Sequence, residues 1–312
     1  MHNKTAFAEL LKPKTPIILD GGLSNELEAL GMDLNNPLWS ASVLQNNPEA
    51  IVKAHLNYLN SGADIIITSS YQASVSGFKA VGVSEDQARK LITLSVSLAE
   101  KAVNEFMKDK PSGQRCPLVA ASVGPYGATM ADGSEYHGNY GLSDQALKEF
   151  HQGRLLLLDQ TAADILACET IPSMQEAKIL HGLLLDTSTP SWISLSCKDG
   201  AHANDGTAIE EIAALFVDHT KVLAIGINCT APQYADELVS RIKKVAPEKA
   251  VIVYPNSGEH YDATDKTWHG TVDPTACAIA AKSWRSSGAT LLGGCCRMGP
   301  DHISAMKEQC SK

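Results

Sequence analysis

Two cysteines stand side by side in Gly293-Gly294-Cys295-Cys296, and a third ends the segment Gly226-Ile227-Asn228-Cys229. Adjacent cysteines strain badly as a mutual disulfide, whereas both of their thiolates reach one metal ion. With Cys229 as a third ligand they would hold a tetrahedral zinc with one position open, which implies chemistry rather than scaffolding. The same residues also suit a plainer role, since cysteine is among the most often buried residues and packs as a small hydrophobe. No short Cys-x-x-Cys pairing is present, so spacing leaves both readings open and the fold has to decide.

The chain has 312 residues, 44% of them apolar and 20% charged, enough for one large α/β domain or two smaller ones. A net charge of −9 argues against nucleic acid or an anionic membrane as partner and favours a small molecule. No N-terminal apolar run resembles a signal peptide, and none approaches the roughly 18 apolar residues of a membrane span, so a cytoplasmic protein is expected. Eight cysteines in such a chain are expected to stay mostly reduced. Cys116, Cys168, Cys197, Cys277 and Cys310 have no obvious partners and read as packing or surface residues.

Elements that bring the distant cysteines together follow from the apolar pattern. Short β-rich runs cover Pro16 to Leu19, Asp64 to Thr68, Leu118 to Ser122, Asp164 to Ala167, Trp192 to Ser196, Val222 to Ile227, Ala250 to Tyr254 and Thr290 to Leu292. Helical spacing separates them: Ile51, Ala54, His55, Tyr58 and Leu59 repeat after Pro48, and a Ser-x-x-Gln capping box opens a long helix from Ser84 to Met107. Further helices are expected from Ser143, Ser173, Thr207, Pro232, Asp273 and Pro300. Near-continuously apolar strands, each followed by a helix, imply parallel strands covered on both faces, and eight such units favour a single (β/α)8 TIM barrel. A doubly wound sheet is the alternative, but no Gly-x-Gly-x-x-Gly follows the first strand.

In a barrel, residues just past each strand share the C-terminal rim, where the active site is then expected. That rim gathers Asp20 with Gly21 and Gly22, Ser69 to Tyr71, Gly124 and Pro125, Glu169 and Thr170, Cys197, Asn228 and Cys229, Pro255 and Asn256, and Cys295 with Cys296. Two carboxylates beside three thiolates are poor additional zinc ligands, so Asp20 and Glu169 better suit a substrate ammonium. Two long connections, Gly124 to Gly141 and Asn256 to Val272, supply loop candidates on the rim. Tyr71, Tyr126, Tyr136, Tyr261 and Trp268 carry ring faces that attract a cation. Three thiolates make zinc soft and better suited to binding another thiol as its thiolate than to ionising water. A thiolate in an anionic pocket favours a cationic electrophile, such as a methyl on a sulfonium or quaternary ammonium.

The motifs Ile18-Leu19-Asp20-Gly21-Gly22, Leu38-Trp39-Ser40-Ala41, Thr68-Ser69-Ser70-Tyr71-Gln72-Ala73, Ser122-Val123-Gly124-Pro125-Tyr126-Gly127 and Ala167-Cys168-Glu169-Thr170 resemble those of the homocysteine S-methyltransferases. So do Tyr254-Pro255-Asn256-Ser257-Gly258-Glu259 and the two cysteine segments, and the resemblance spans about Thr15 to Lys307. It implies a zinc-bearing barrel, one domain across residues 1–312, with Cys229, Cys295 and Cys296 as ligands and homocysteine sulfur as the fourth. It further implies that Asp20 and Glu169 hold the homocysteine amino group, and that Ser70, Tyr71 and Asn228 belong to the amino-acid site. Tyr126, Asn256 and Tyr261 are loop candidates on the donor side.

The compact members that this chain most resembles use S-methylmethionine, and often S-adenosylmethionine, to make methionine. No protein base is assigned, because zinc takes the place of the thiol proton. Another thiol or selenol such as selenocysteine is the alternative acceptor. The chain ends at Lys312 without the extensions of betaine- or cobalamin-dependent relatives, so a monomer or weak homodimer is expected. One departure is Ser24-Asn25, where the family more often has a small residue followed by threonine.

Overall fold

A computed structural model describes residues 5–12, 15–34, 38–130, 132–258, 260–262, 267–269 and 273–311. Eight parallel strands form the barrel: β1 Ile17–Ile18, β2 Ile65–Ile67, β3 Leu118–Val123, β4 Ile165–Ile171, β5 Ser191–Leu195, β6 Val222–Asn228, β7 Ala250–Tyr254 and β8 Leu291–Leu292. Neighbours in the barrel are neighbours in sequence, and β8 pairs with β1 through Ile17 and Leu291. A parallel bridge between Leu19 and Ile65 closes β1 on β2.

Both faces of every strand are buried, which is why the runs read as continuously apolar rather than alternating. Alternate residues divide between two cores: Ile17, Leu19, Ile65, Ala120, Ile165, Ala167, Ala224, Ile252 and Leu291 fill the barrel. Their neighbours Ile18, Ile66, Ala121, Leu166, Ile225, Val251 and Leu292 meet the surrounding helices. A helix that the apolar pattern did not reveal, Ala6–Leu11, plugs the barrel floor with Phe7 and Leu10. The Phe7 ring meets Trp192 edge-on at 6.1 Å.

Helix starts follow the capping residues. Ser84, Ser143 and Ser173 each accept a backbone N–H three residues on, from Gln87 (3.3 Å), Ala146 (3.2 Å) and Glu176 (3.3 Å). Further short helices occupy Leu23–Ala29, Val43–Asn46 and Val75–Ala80, between the first two strands and after the second.

The recurring Ala-Asp phrase before β2 and β4 has a use beyond ending a helix. Asp64 Oδ2 accepts the Ile18 N–H of the adjacent strand at 2.9 Å, and Asp164 Oδ2 accepts the Val119 N–H at 2.9 Å. Asp64 also pairs with Lys307 at 2.9 Å, tying the last helix to the barrel floor. Asp64→Ala is expected to lower stability by about 1–3 kcal/mol, the range for a charged hydrogen bond left without its acceptor. Breaking the exposed Arg89–Glu85 pair (2.8 Å) by Glu85→Ala is expected to leave stability almost unchanged, because solvent screens the pair. Urea midpoints of the two variants check the contrast.

Candidate active site

The loops after β1 and β8 press together backbone to backbone. Gly294 N donates to Asp20 O at 3.1 Å, and a Cβ on Gly22 would stand 2.6 Å from Cys295 O. A Cβ on Gly293 would stand 2.7 Å from Leu19 Cβ, so the paired glycines permit the contact that sets Cys295 and Cys296 beside Asp20. Asn25 Oδ1 accepts the Arg297 N–H at 2.8 Å, which gives the Asn25 departure a task in holding the cysteine loop.

Among the described residues, three non-glycine residues adopt left-handed backbone, Thr170 (φ 60°), Cys229 (φ 45°) and Arg297 (φ 67°), and all three lie on this rim. Such conformations persist only where surrounding contacts enforce them. For Thr170 the enforcement comes from Asn228, whose Oδ1 accepts the Thr170 N–H at 2.6 Å and whose Nδ2 donates to Thr170 Oγ1 at 2.7 Å. Ser194 Oγ donates to the same Oδ1 at 2.8 Å.

Strand β4 therefore runs on to Ile171, past the Ala167 end expected from sequence, with a register irregularity between Cys168 and Ile171. The overrun brings Glu169 into the barrel mouth. Ser122 Oγ donates to Glu169 Oε1, and Tyr254 OH donates to Oε2 at 3.1 Å. Burial pushes the Glu169 carboxyl up to about 7 against those two hydrogen bonds. Asp20 is raised well above the carboxylate range, by burial first and then by the charge of Glu169, against the Ile67 N–H that donates to Oδ2 at 2.7 Å.

The Sγ atoms of Cys229, Cys295 and Cys296 lie within 4.8 Å of one another, and Cys229 and Cys296 are 3.9 Å apart. A tetrahedral ion with bonds of about 2.3 Å would set its sulfurs roughly 3.8 Å apart, so the donor set fits a thiophilic divalent metal. Cys229 and Cys295 are joined as a disulfide, across Cα atoms 5.6 Å apart, while the other six cysteines are free, so the chain is mostly reduced as expected and departs from that at this one pair. The physical reason is proximity: the rim loops that gather three thiols for one ion also bring two of them within coupling range. The Cys296 thiol is pushed up to about 11, by burial first and by Glu135 second. A bound cation reverses that preference and favours the thiolate.

One pocket joins these groups. Its lining includes Ser69, Tyr71, Glu169, Asn228 and all three cysteines, along with Ser24, Glu135, Tyr136, Thr170 and Tyr254. Asp20 lies just behind that lining, fully buried, with Oδ1 unpartnered. Ser70 is turned into the wall, where its hydroxyl donates to Ser122 O at 2.8 Å. Tyr126 packs its ring on Tyr140 and Phe150, at 5.2 and 5.0 Å, and is not part of the lining. Asn256 keeps a buried, unpartnered Oδ1 close behind the cysteine loops. Tyr261 sits opposite Trp268 in a short antiparallel ribbon, and its side chain lies outside the described residues. Sequence reasoning gave no role to Glu135, an acid on a polar loop, or to Tyr254, the last residue of its strand, although Tyr254 opens the motif Tyr254-Pro255-Asn256.

A parallel barrel whose C-terminal rim gathers three sulfurs around a pocket, with the buried carboxylates of Glu169 in its lining and Asp20 behind it, is an enzyme of the TIM-barrel class with a metal-type site. The homocysteine S-methyltransferase family profile matches residues 17–310. Homocysteine S-methyltransferase YbgG of Bacillus subtilis is 47% identical over 92% of each chain. A selenocysteine methyltransferase of Astragalus bisulcatus is 42% identical over 92% of this chain and 90% of its own. The crystal structure of the Escherichia coli homocysteine methyltransferase MmuM superposes in its metallated form with a TM-score of 0.87, at 39% identity, over 98% of this chain and 100% of that one. The chain belongs to the homocysteine S-methyltransferase family.

After reduction, the protein is expected to take up one divalent ion per chain. Cobalt(II) titration reads this as a thiolate-to-metal absorption band, absent from the disulfide form and lost in Cys229→Ser, Cys295→Ser and Cys296→Ser. An undiminished band in all three variants would place the metal elsewhere.

Proposed function

We propose that the protein transfers a methyl group from S-methylmethionine or S-adenosylmethionine to the sulfur of L-homocysteine, forming L-methionine. The observation that carries this reading is the convergence of three cysteine sulfurs and the Glu169 carboxylate in one pocket, with the buried Asp20 carboxylate beside it, in a chain from this family. Cys229, Cys295 and Cys296 would hold zinc, which when bound supplies a soft positive centre at which the homocysteine thiol loses its proton. We also take residues 1–312 to work as one barrel domain in the cytoplasm, a reading compatible with the absence of any membrane-crossing helix among the described residues.

The protein's own groups then do the positioning. Asp20 and Glu169, desolvated and close enough to repel each other, gain charge balance from the homocysteine ammonium. Ser69 Oγ, buried without a partner, is available to the amino-acid portion, and Tyr71 closes the side of the pocket. Asn228 acts through Thr170, fixing the backbone on which Glu169 is carried.

With the acceptor sulfur held, a sulfonium methyl aligned opposite its leaving sulfur is displaced in line. The new S–CH3 bond forms as the old one breaks. The electron pair of the broken bond stays on the donor sulfur, which departs as a neutral thioether. No protein base is needed on the sulfur.

A second reading has observational support. The likeness to the Astragalus selenocysteine methyltransferase favours testing selenocysteine, whose selenol would occupy the same position as the homocysteine thiol. Competition between the two acceptors for one donor separates the readings.

Zinc-loaded, reduced protein is expected to form two methionines per S-methylmethionine consumed in the presence of homocysteine, and to stop on chelation. No methionine from either sulfonium donor, with metal bound, would sink the proposal. Glu169 adds a pH signature, because its free-enzyme carboxyl, raised to about 7, is neutral below that value. Its charge, and with it ammonium binding, is lost as pH falls through 7, so kcat/KM for homocysteine is expected to decline on the acid side. Glu169→Gln should shift that limb, leaving what Asp20 contributes, and raise the homocysteine KM about 10–100-fold, the equivalent of roughly 1.5–3 kcal/mol for a charged hydrogen bond.

A further inference from the structure

Glu135 occupies a 3-10 turn, Ser134–Tyr136, on the loop after β3, and lines the pocket beside Cys296 and Tyr136. Its Oε2 is shut off from water and has no hydrogen-bond partner. A buried carboxylate oxygen left in that state costs free energy unless a ligand supplies the missing donor.

The loop is held in place from behind. Glu176 Oε1 accepts from Tyr126 N at 2.7 Å and contacts His151 Nε2 at 2.7 Å, while Oε2 accepts from Tyr140 OH at 3.1 Å. Ser196 Oγ donates to Glu135 O at 3.4 Å. Gly127 lets the turn pack closely, since a Cβ there would stand 2.8 Å from the Tyr140 ring and would collide with Glu135 N. Glu135 is thus delivered to the pocket by a fastened loop, separately from the strand-end carboxylates Asp20 and Glu169.

We propose that Glu135 binds the ammonium group of the methyl donor. The inference rests on the proposed methyl transfer between two amino acids, each of which brings its own ammonium to the pocket. Asp20 and Glu169 form one mutually repelling pair at the strand ends and take one cation. Glu135 is the remaining pocket carboxylate, with an oxygen that lacks an N–H. The sulfonium is the poorer partner for two reasons. It has no proton to donate, and its charge disappears during transfer, so a carboxylate fixed on it would stabilise the ground state more than the transition state. The donor ammonium keeps its charge throughout and serves as a handle at no cost to the barrier.

The test is a crossover of two carboxylates against two substrates. With wild-type, E135Q and E169Q proteins, all reduced and zinc-loaded, KM is measured separately for homocysteine and for two donors. The donors are S-methylmethionine and (3-carboxypropyl)dimethylsulfonium, the same skeleton without its amino group. E135Q is expected to raise KM for S-methylmethionine at least 10-fold, leave homocysteine KM and metal content unchanged, and leave the amino-free donor unaffected; E169Q is expected to act on homocysteine alone. Equal weakening of both donors by E135Q, or no change in either, overturns the assignment while wild-type turnover keeps the methyl-transfer reading. Absence of wild-type turnover with S-methylmethionine would remove that reading and the Glu135 assignment with it.

Discussion

The amide of Asn228 is the contact on which the arrangement of the site most depends. It crosses from the end of β6 to the end of β4, giving Thr170 both an acceptor and a donor. Thr170 is β-branched and left-handed, a combination that local preference opposes, so the tertiary contact has to supply what the residue type does not. On either side of that amide lie the two kinds of chemistry. Glu169 precedes Thr170 and Cys229 follows Asn228, so a single side chain fixes the spacing between a carboxylate and a sulfur. Replacement of Asn228 would disturb both sides at once, although it is neither a sulfur nor a charge.

The pocket is built against its own electrostatics. Asp20 and Glu169 are both buried, both raised, and near enough for one to act on the other. The hydrogen bonds from Ile67 N, Ser122 and Tyr254 offset only part of that cost. An unliganded pocket of this kind favours neutral acids, and a bound cation favours the charged forms. Burying two acids this close costs folding stability for as long as no positive charge accompanies them. Unpartnered oxygens also collect around the pocket, at Asp20, Ser69, Glu135 and Asn256.

The barrel was legible from sequence because parallel strands covered on both faces leave a continuous apolar signal, and because Ser84, Ser143 and Ser173 mark helix starts that capping geometry demands. The rim was legible as a consequence, since strand order alone puts Cys229 and Cys295 on one face. Side-chain direction past the strand ends was not legible. Ser69 and Ser70 are neighbours of one type, yet one borders the pocket and the other bonds into the wall, and no periodicity operates in that turn. Tyr126 and Tyr136 share one loop and take opposite roles, packing in the first case and lining in the second. The overrun of β4 depends on a hydrogen bond between residues 58 positions apart, which no local pattern encodes. The helix Ala6–Leu11 escaped notice because its two core residues, Phe7 and Leu10, make too short an apolar stripe to read.

Polarity along the barrel axis favours unpaired acids at the rim. Each helix runs antiparallel to the strand before it, so helix N-termini and their free N–H groups face the rim with Asp20 and Glu169, while C-terminal carbonyls face the opposite end. At that opposite end, alongside the acids Asp64 and Asp164, cations meet those carbonyls. Lys249 donates to His219 O and Val222 O at 2.7 and 2.6 Å, Lys243 to Pro247 O and Lys249 O at 2.9 Å each, and Arg285 to Cys310 O at 3.1 Å. These residues line a cleft of about 810 Å3 that is larger than the pocket with the sulfurs but holds none of them. Its Lys243, Lys249 and Arg285 donors are engaged with the protein's own carbonyls and Lys12 with the Glu9 carboxylate, whereas the rim acids Asp20 and Glu135 keep oxygens unengaged. Size alone would point to the wrong end of the molecule; unsatisfied chemistry points to the rim.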